Sequence, residues 1–414
     1  MFRIMKTSKI LQFLISLTLL IVIIGCEKDA PVSIYNPNTT FGAQPIVTSI
    51  VPENMPYILG GITTININGT GFPTDTNKIR VFFNNSIVRI GTLTATQIKL
   101  LAPVMTLDSI RVRVAVDGSD KFSDLRYINI KSAFALVKEV DTTKYAPAAI
   151  TFSKNGDLFV SLVTKGGVSD GIYQLTSSGS FLPFAGKGTE PFFSGLKIKG
   201  DSIYAARRVN RIVSRNSSPP NAMNIFTAAL PTSVEDFDYD ARRVMWAGGN
   251  TADGGILRID SLKNVKQFPF AGTIRSVRVF NGALYVTNET ADLTNAIYKI
   301  PINASDSSLG TAELYFDLSA TVGNKTNKAF GITFDSDGNL YVGTDAPVGI
   351  YVVAADKSVQ PLYNGVFGPS CRYLAWGNDS YLYAVREKIP SSSTPTGLFK
   401  IDMLGKLSAP YYGQ

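Results

Sequence analysis

The sequence predicts an all-β protein in which a β-sandwich precedes a six-bladed β-propeller. Residues 44–131 contain short β-branched runs of alternating polarity, and the rest of the chain repeats one hairpin six times. Alternation with a period of two is typical of strands, and a hairpin recurring about every 40 to 50 residues is typical of propeller blades. The chain has 414 residues, of which 45% are hydrophobic and 17% charged, so both parts can bury a core.

Residues 1–25 have the layout of a secretory signal peptide. Arg3, Lys6 and Lys9 precede an apolar stretch that ends at Cys26 and is shorter than the roughly 20 residues of a membrane-spanning helix. The letters IIGC resemble a bacterial lipobox, which implies lipid on Cys26. Because acyl chains insert into bilayers, we expect an anchored envelope protein in the outer membrane, exposed at the cell surface.

A tether and a small sandwich follow the anchor. Residues 26–43 are rich in Pro, Asn and Thr and lack apolar periodicity, which favours a linker. In residues 44–131, the pair Gly60 and Gly61, the run NGTGF at 68–72 and the late Ala102-Pro103 resemble an IPT/TIG domain. This resemblance implies an immunoglobulin-like fold, in a domain that serves as a spacer or an interaction module.

Residues 132–414 form the predicted propeller. The second strand of each hairpin carries an apolar residue at 158, 203, 245, 284, 340 and 382, directly followed by an aromatic residue that we interpret as packing between blades. The blades resemble NHL-type propellers and, more distantly, gluconolactonase-type (SMP-30-like) propellers. Ring closure has two candidates, the segment FALVKEV at 134–140 and the C-terminal LSAPYYG, and the sequence does not decide between them.

Several classes of function are excluded or disfavoured. The chain has no histidine, so it cannot form a Ser-His-Asp triad, a Cys/His pair or an HExxH zinc site. The net charge of +8 is scattered without a basic patch, which argues against nucleic acid as a partner. Cys371 is interpreted as a buried hydrophobe. The run that begins at Asp335 is interpreted as a hairpin turn, since Ala346 replaces the final glutamate of a calcium loop.

Counting back from the strand anchors places one ring of residues at the channel. The residues two positions before the apolar anchors of each first strand are Ala148, Ser194, Glu235, Arg275, Phe330 and Arg372. Ser194, Glu235, Arg275 and Arg372 are the predicted ligand-binding set, because carboxylate and guanidinium groups recognise polar ligands. The alternative is a self-neutralising cluster of ion pairs around channel water. Trp376, in the first turn of blade six, is a candidate exposed aromatic platform for a sugar.

A metal site is the weaker hypothesis. The gluconolactonase resemblance implies calcium or magnesium held by oxygen ligands, for which the candidates are Glu235, Asn250, Glu289 and Asp345. Blade one, however, begins with YAPAAITF and lacks the acidic ligand of that family. We therefore expect no cofactor.

The sequence thus predicts a lipid-anchored envelope protein that acts by binding rather than by catalysis. Its expected partners are the membrane, through the lipid, and a glycan or a protein, through the propeller. The alternatives are a metal-dependent lactonase-like hydrolase and a scaffold of an envelope complex.

Overall fold

The structure is a computed structural model that describes residues 41–139, 145–164, 169–176, 178–186, 193–216, 223–249, 254–387 and 396–413. The predicted signal peptide, Cys26, most of the tether and Asn250 lie outside these residues. No helix in the part of the chain so described has the length and hydrophobicity needed to cross a membrane.

The N-terminal part is a β-sandwich of two antiparallel-rich sheets. One sheet has the order β1-β3-β7-β6 and the other β2-β9-β8-β4-β5. Alternate residues of β3 and β4, such as Ile65, Ile67 and Val81, are fully buried between the sheets, as the period-two pattern predicts. The strands are β1 (Ile46–Pro52), β2 (Ile58–Leu59), β3 (Thr64–Thr70), β4 (Ile79–Phe83), β5 (Ser86–Val88), β6 (Thr92–Leu93), β7 (Gln97–Leu101), β8 (Leu107–Val116) and β9 (Arg126–Lys131), with a 3-10 turn at Thr76–Lys78.

Six four-stranded sheets follow, and we number them as blades one to six. Blade one comprises β11 (Tyr145–Phe152), β12 (Leu158–Thr164), β13 (Ser169–Leu175) and β14 (Phe181–Gly186). Blade two comprises β15 (Gly195–Lys199), β16 (Ser202–Ala206), β17 (Ile212–Asn216) and β18 (Asn224–Thr227). Blade three comprises β19 (Asp236–Tyr239), β20 (Met245–Gly248), β21 (Ile256–Ile259) and β22 (Val265–Phe268).

The remaining blades have the same order of antiparallel strands. Blade four comprises β23 (Thr273–Phe280), β24 (Ala283–Glu289), β25 (Asn295–Pro301) and β26 (Glu313–Asp317), and a short helix α1 (Leu318–Val322) follows it. Blade five comprises β27 (Ala329–Phe334), β28 (Leu340–Thr344), β29 (Ile350–Val353) and β30 (Val359–Pro361). Blade six comprises β31 (Cys371–Trp376), β32 (Tyr381–Arg386) and β33 (Gly397–Asp402), with β10 (Phe134–Glu139) as its outer strand.

The pairing of β10 with β33 resolves how the ring closes. Phe134 lies opposite Ile401 and Leu136 opposite Phe399 in an antiparallel ladder. The first strand after the sandwich therefore completes the last blade. This arrangement leaves the C-terminal LSAPYYG free for another role.

Each pair of neighbouring blades shares one hydrophobic cluster. The first-strand anchors Ile150, Leu196, Phe237, Val277, Ile332 and Leu374 lie in six different clusters. The repeated aromatic residue of each blade packs into the cluster of the next blade, so that Phe159 meets Leu196 and, across the closure, Tyr383 meets Ile150. The predicted packing of these aromatic residues between blades is confirmed.

The turn between the first two strands of blade five is a self-contained hairpin turn. Asp335 accepts hydrogen bonds from the backbone N–H of Asn339 at 2.8 Å and from the Tyr341 hydroxyl at 2.9 Å. In blade three, Asp240 likewise accepts from the N–H of Val244 and from Nε1 of Trp246. The carboxylate thus fastens the turn to the aromatic residue that packs between blades, in agreement with the predicted turn.

Residues 407–413 cross one end of the channel, and we call them the strap. At blade five, the N–H of Ser336 donates to the carbonyl of Leu407 and the N–H of Ala409 donates to the carbonyl of Phe334. At blade two, the Tyr411 hydroxyl donates to the carbonyl of Ile198 at 2.6 Å. Because blades two and five are opposite in a six-membered ring, the strap spans the lower mouth of the channel.

The sandwich contacts the propeller just before the strap. The Tyr57 hydroxyl donates to both carboxylate oxygens of Asp402, at 2.7 and 2.9 Å. The Asp402 Oδ1 atom also accepts from the N–H of Leu404, at 2.9 Å. One carboxylate therefore joins the sandwich, blade six and the segment that leads into the strap.

Candidate functional site: the propeller channel

The channel is lined by the residue that directly follows each core anchor. Successive side chains of a strand point to opposite faces, so a residue beside a core anchor faces away from that core. Six blades contribute one such residue each, and all six line one cavity: Thr151, Lys197, Asp238, Arg278, Thr333 and Ala375. This ring was missed in the sequence, because the residues two positions before the anchors were placed at the channel, although simple alternation from the anchors identifies the residues that directly follow them.

The cavity has a volume of about 350 Å³, and we call it the chamber. Its wall also includes Phe152, Phe334 and Trp376, and the strap contributes 407–411. Protein pockets that hold small organic molecules have volumes of about 300–1,000 Å³. The chamber is therefore large enough for a small ligand in the middle of the fold.

Charged side chains are buried in the chamber wall. Lys197 Nζ lies 3.4 Å from Asp236 Oδ1, and the two residues are 6% and 8% exposed. Burial lowers the pKa of Lys197 and the nearby Arg278 charge lowers it further, whereas Asp236 opposes the shift. Burial raises the pKa of Asp238, against the attraction of Arg278 and Lys197. Such clusters of buried groups with shifted pKa values mark candidate functional sites.

Backbone hydrogen bonds fix the two aspartates of blade three. Asp236 Oδ2 accepts from the N–H of Val277 at 3.0 Å and from the Ser276 hydroxyl, while Asp238 Oδ2 accepts from the N–H of Val279 at 2.9 Å. These contacts join the inner strands β19 and β23 of neighbouring blades. These hydrogen bonds hold Asp238 in place through Oδ2, and Oδ1 has no hydrogen-bond partner among the described residues.

Among the described residues, two polar atoms of the chamber wall have no hydrogen-bond partner. They are Oδ1 of Asp238 in blade three and Nε1 of Trp376 in blade six, and blades three and six are opposite each other. A buried polar group without a partner costs about 1–3 kcal/mol. Both atoms belong to residues of the chamber wall on opposite sides of the channel, but each has less than 1 Å² of accessible surface, so a ligand reaches them only if the side chain turns.

The predicted ring lies at the other end of the channel, and the structure brings three of its four members together. Glu235, Arg275 and Arg372 surround the Phe330 ring, with the guanidinium carbon of Arg372 at 4.6 Å from the ring centroid. We call this group the upper ring. The space between these side chains is only about 10 Å³, which is room for about one water molecule. Ser194 is fully buried and does not line this space.

Each charged side chain of the upper ring forms an ion pair with a residue at, or just beyond, the end of a second strand. The Glu235 carboxylate is held in a fork by Arg208, with both contacts at 2.6 Å. Arg275 pairs with Glu289, and Arg372 Nε lies 2.5 Å from Glu387 Oε2. Burial raises the pKa of Glu235 despite the opposing Arg208 charge. The structure thus shows the alternative arrangement, a self-neutralising cluster of ion pairs.

β-Bulges explain why the upper ring assembles on the channel side. The register between first and second strands shifts between Ile274 and Val277 in blade four, and between Cys371 and Tyr373 in blade six. A bulge adds a residue and so reverses which face the next side chains occupy. Residues two positions before a core anchor can therefore face the channel, as Arg275 and Arg372 do.

The proposed metal ligands do not fit a divalent ion. Burial works to raise the pKa of Glu289, but its hydrogen bond and ion pair with Arg275 outweigh this effect and lower it. Asp345 Oδ1 accepts from the backbone N–H of Lys328 at 2.7 Å, and Asn250 lies outside the described residues. A divalent cation would meet the arginines that already neutralise Glu235 and Glu289. Among the described residues, no group of three or more acidic, histidine or cysteine side chains could hold a metal ion.

Trp376 is not an exposed platform, which corrects the expectation from its turn position. It is the last residue of β31, is only 7% exposed and packs edge-on against Tyr341 with ring centroids 5.6 Å apart. Its role in the chamber wall keeps it beside a candidate site. Cys371 is fully buried and burial raises the pKa of its thiol, in agreement with the structural role predicted for it.

Comparison with known proteins identifies the N-terminal sandwich. Residues 45–127 match the IPT/TIG domain family, which confirms the resemblance of this segment. No curated protein matches the chain at a significant level of sequence similarity.

Solved structures resemble most of the chain in fold. An auxiliary nutrient binding protein from Bacteroides thetaiotaomicron is 9% identical with a TM-score of 0.50, over 90% of this chain and 98% of that one. A proposed phosphatase from the same organism is 9% identical with a TM-score of 0.59, over 88% and 98%. A luciferin-regenerating enzyme is 14% identical with a TM-score of 0.51, over 66% and 97%. At these identities the likeness concerns the fold alone.

Proposed function

We propose that this protein is a lipid-anchored cell-envelope binding protein whose propeller captures a small polar ligand, such as a saccharide, in the chamber. The observation that carries this proposal is the chamber itself. A packed core would fill such a volume with apolar side chains, whereas here all six blades leave it open and place Lys197, Asp238 and Arg278 around it.

The energetics of the wall support a binding role. Burying charged groups costs several kcal/mol per ion unless other groups compensate. Within the described part of the chain, the hydrogen bonds of Arg278 are long, at 3.3 and 3.4 Å, and go to the carbonyls of Val277 and Leu374. Much of the hydrogen-bonding capacity of the chamber is therefore unused by the fold and is available to a ligand.

The proposed location follows from the N-terminal sequence. A lipid on Cys26 and a tether over residues 26–43 would hold the sandwich and the propeller next to the outer membrane, at the cell surface. The similarity in fold to an auxiliary nutrient binding protein of Bacteroides supports the proposed binding role. Incorporation of a fatty-acid probe that Cys26→Ala abolishes would test the anchor.

A ligand screen tests the binding function. The chain from Glu27 onward is heated with a panel of neutral and acidic saccharides, and unfolding is followed. A ligand at 100 times its dissociation constant stabilises the fold by about 2.7 kcal/mol. We expect at least one saccharide to raise the melting temperature. If no saccharide shifts the melting temperature at concentrations up to about 50 mM, the proposal is contradicted.

A further inference from the structure

We infer that the ligand of the chamber is a single neutral, polyhydroxylated ring of monosaccharide size rather than an acidic sugar. This inference rests on the proposed binding function and specifies its ligand. Charge balance, hydrogen-bonding capacity, apolar surface and size each support it.

The formal charges around the chamber balance. Lys197 and Arg278 are basic and Asp236 and Asp238 are acidic, and all four lie on the inner strands of blades two to four. Burial shifts the pKa of Lys197 and of Asp238 toward the neutral form, and loss of both charges together keeps the balance. Asp379, at the rim, is paired with Lys400 at 3.2 Å. A charged ligand in this interior would lack a compensating charge, and a buried charge without one is strongly unfavourable.

The unused hydrogen-bonding groups match hydroxyl groups. The ionised Asp238 carboxylate can only accept, whereas the Lys197 ammonium and the Arg278 guanidinium, whose described hydrogen bonds are 3.3–3.4 Å long, can only donate. A hydroxyl group both donates and accepts. Neighbouring hydroxyls on a ring can therefore donate to Asp238 while they accept from Lys197 and Arg278, which neither an ammonium group nor a carboxylate can do.

The rest of the wall offers apolar surface of the kind that covers the C–H face of a sugar ring. Phe152, Phe334 and Trp376 are 8%, 3% and 7% exposed and line the chamber together with Ala409 of the strap. Aromatic rings combine a large apolar face with a polar edge. The hydroxyls of Thr151 and Thr333 lie in the same wall.

The strap limits the size of what enters. It is anchored to blade five at Ala409 and to blade two at Tyr411, so it divides the lower mouth. The upper ring closes the opposite end, with room for about one water molecule. A volume of about 350 Å³ between these two barriers suits one ring and not a continuous polysaccharide chain.

Matched sugar pairs test the inference by calorimetric titration. Glucose is compared with glucuronate, and galactose with galacturonate, because the members of each pair share ring stereochemistry and differ only at C6. We expect one neutral sugar to bind at least tenfold more tightly than its acidic counterpart. Asp238→Asn, which retains an oxygen for the N–H of Val279, is expected to weaken neutral-sugar binding at least tenfold. Asp356→Asn, in an exposed turn of blade five, should leave the affinity unchanged.

The outcomes separate the two proposals. Equal or tighter binding of a uronate would overturn the neutral ligand and leave the binding function intact. Binding of a neutral sugar that Asp238→Asn leaves unchanged would place the ligand elsewhere and overturn this inference. Failure of every neutral and acidic sugar to bind would overturn the binding function and the inference with it.

Discussion

The two ends of the propeller channel carry the same kinds of charged residue and use them differently. In the upper ring, Glu235, Arg275 and Arg372 are each neutralised at short distance by a residue at or just beyond the end of a second strand. In the chamber, the described contacts of Lys197 and Arg278 are long, and Asp238 Oδ1 has no hydrogen-bond partner among the described residues. The comparison favours the chamber over the upper ring as the proposed binding site, because only the chamber combines open space with weakly paired charges.

The largest predicted effect concerns the stability that the upper ring provides. Glu235→Ala removes a buried carboxylate from the fork of Arg208, whose side chain is 38% exposed, and hydrogen bonds to charged groups contribute about 1.5–3 kcal/mol. We expect a loss of that size in the free energy of unfolding by urea, with saccharide affinity unchanged. Glu53→Ala, which breaks a half-exposed pair with Lys99 in the sandwich, is the matched control and should cost at most about 1 kcal/mol.

The opposite result for Glu235→Ala would contradict the assignment of the upper ring to stability and the chamber to binding. If Glu235→Ala left stability unaltered but abolished saccharide binding, the upper ring would be the site and the ion pairs would be incidental.

Replacement of the two tryptophans by phenylalanine is expected to have a smaller effect on stability, and each variant serves as the control for the other. Trp246 Nε1 donates to Asp240 Oδ2 at 3.1 Å, whereas Trp376 Nε1 has no partner. Replacement of either by Phe removes the same volume, but only Trp246→Phe also removes a hydrogen bond to a carboxylate. We expect Trp246→Phe to be about 1.5 kcal/mol more destabilising than Trp376→Phe.

The order of the two tryptophan substitutions is expected to reverse when ligand affinity is measured instead of stability. Trp376→Phe should weaken the affinity for a neutral sugar, while Trp246→Phe should not, because Trp246 is fully buried in the cluster between blades three and four. Equal losses of affinity in both variants would show that Trp376 acts only through the stability of the fold.

The smallest predicted effect is a pH dependence from Asp238. Burial raises its pKa above the value in the unfolded chain, so its contribution to stability is complete below about pH 4 and is lost as the pH rises through the folded pKa. Asp238→Asn cannot titrate. The stability of the variant relative to the parent should therefore increase between pH 4 and pH 7 in thermal unfolding. A difference that is constant or falls over this range would show that Asp238 is not desolvated as the chamber requires.

The architecture was predictable because its determinants are local. Each blade repeats an apolar anchor, an aromatic residue and a turn aspartate or its equivalent within one hairpin, and the structure places Phe159, Tyr285 and Tyr341 between neighbouring blades as expected. The outer strand of blade six was one of two open alternatives, since Phe134 pairs with residues far away in the sequence.

The site was predictable only in part, for two physical reasons. Bulges at Arg275 and Arg372 alter the face on which inner-strand residues lie. These two residues therefore reach the channel, although alternation alone would place them on the same face as the core anchors. The floor of the chamber depends on contacts such as that of Tyr411 with Ile198, separated by 213 residues. No local pattern in 407–413 indicates that these residues cross the mouth.

The central claim, that the chamber and not the upper ring binds the ligand, is tested most directly by a matched pair of arginines. Arg278 faces the chamber and Arg372 belongs to the upper ring. The affinity of Arg278→Ala and Arg372→Ala for the best saccharide of the screen is measured by titration calorimetry. We predict at least a tenfold loss for Arg278→Ala and an unchanged affinity for Arg372→Ala. A loss confined to Arg372→Ala would contradict the account and return the site to the upper ring.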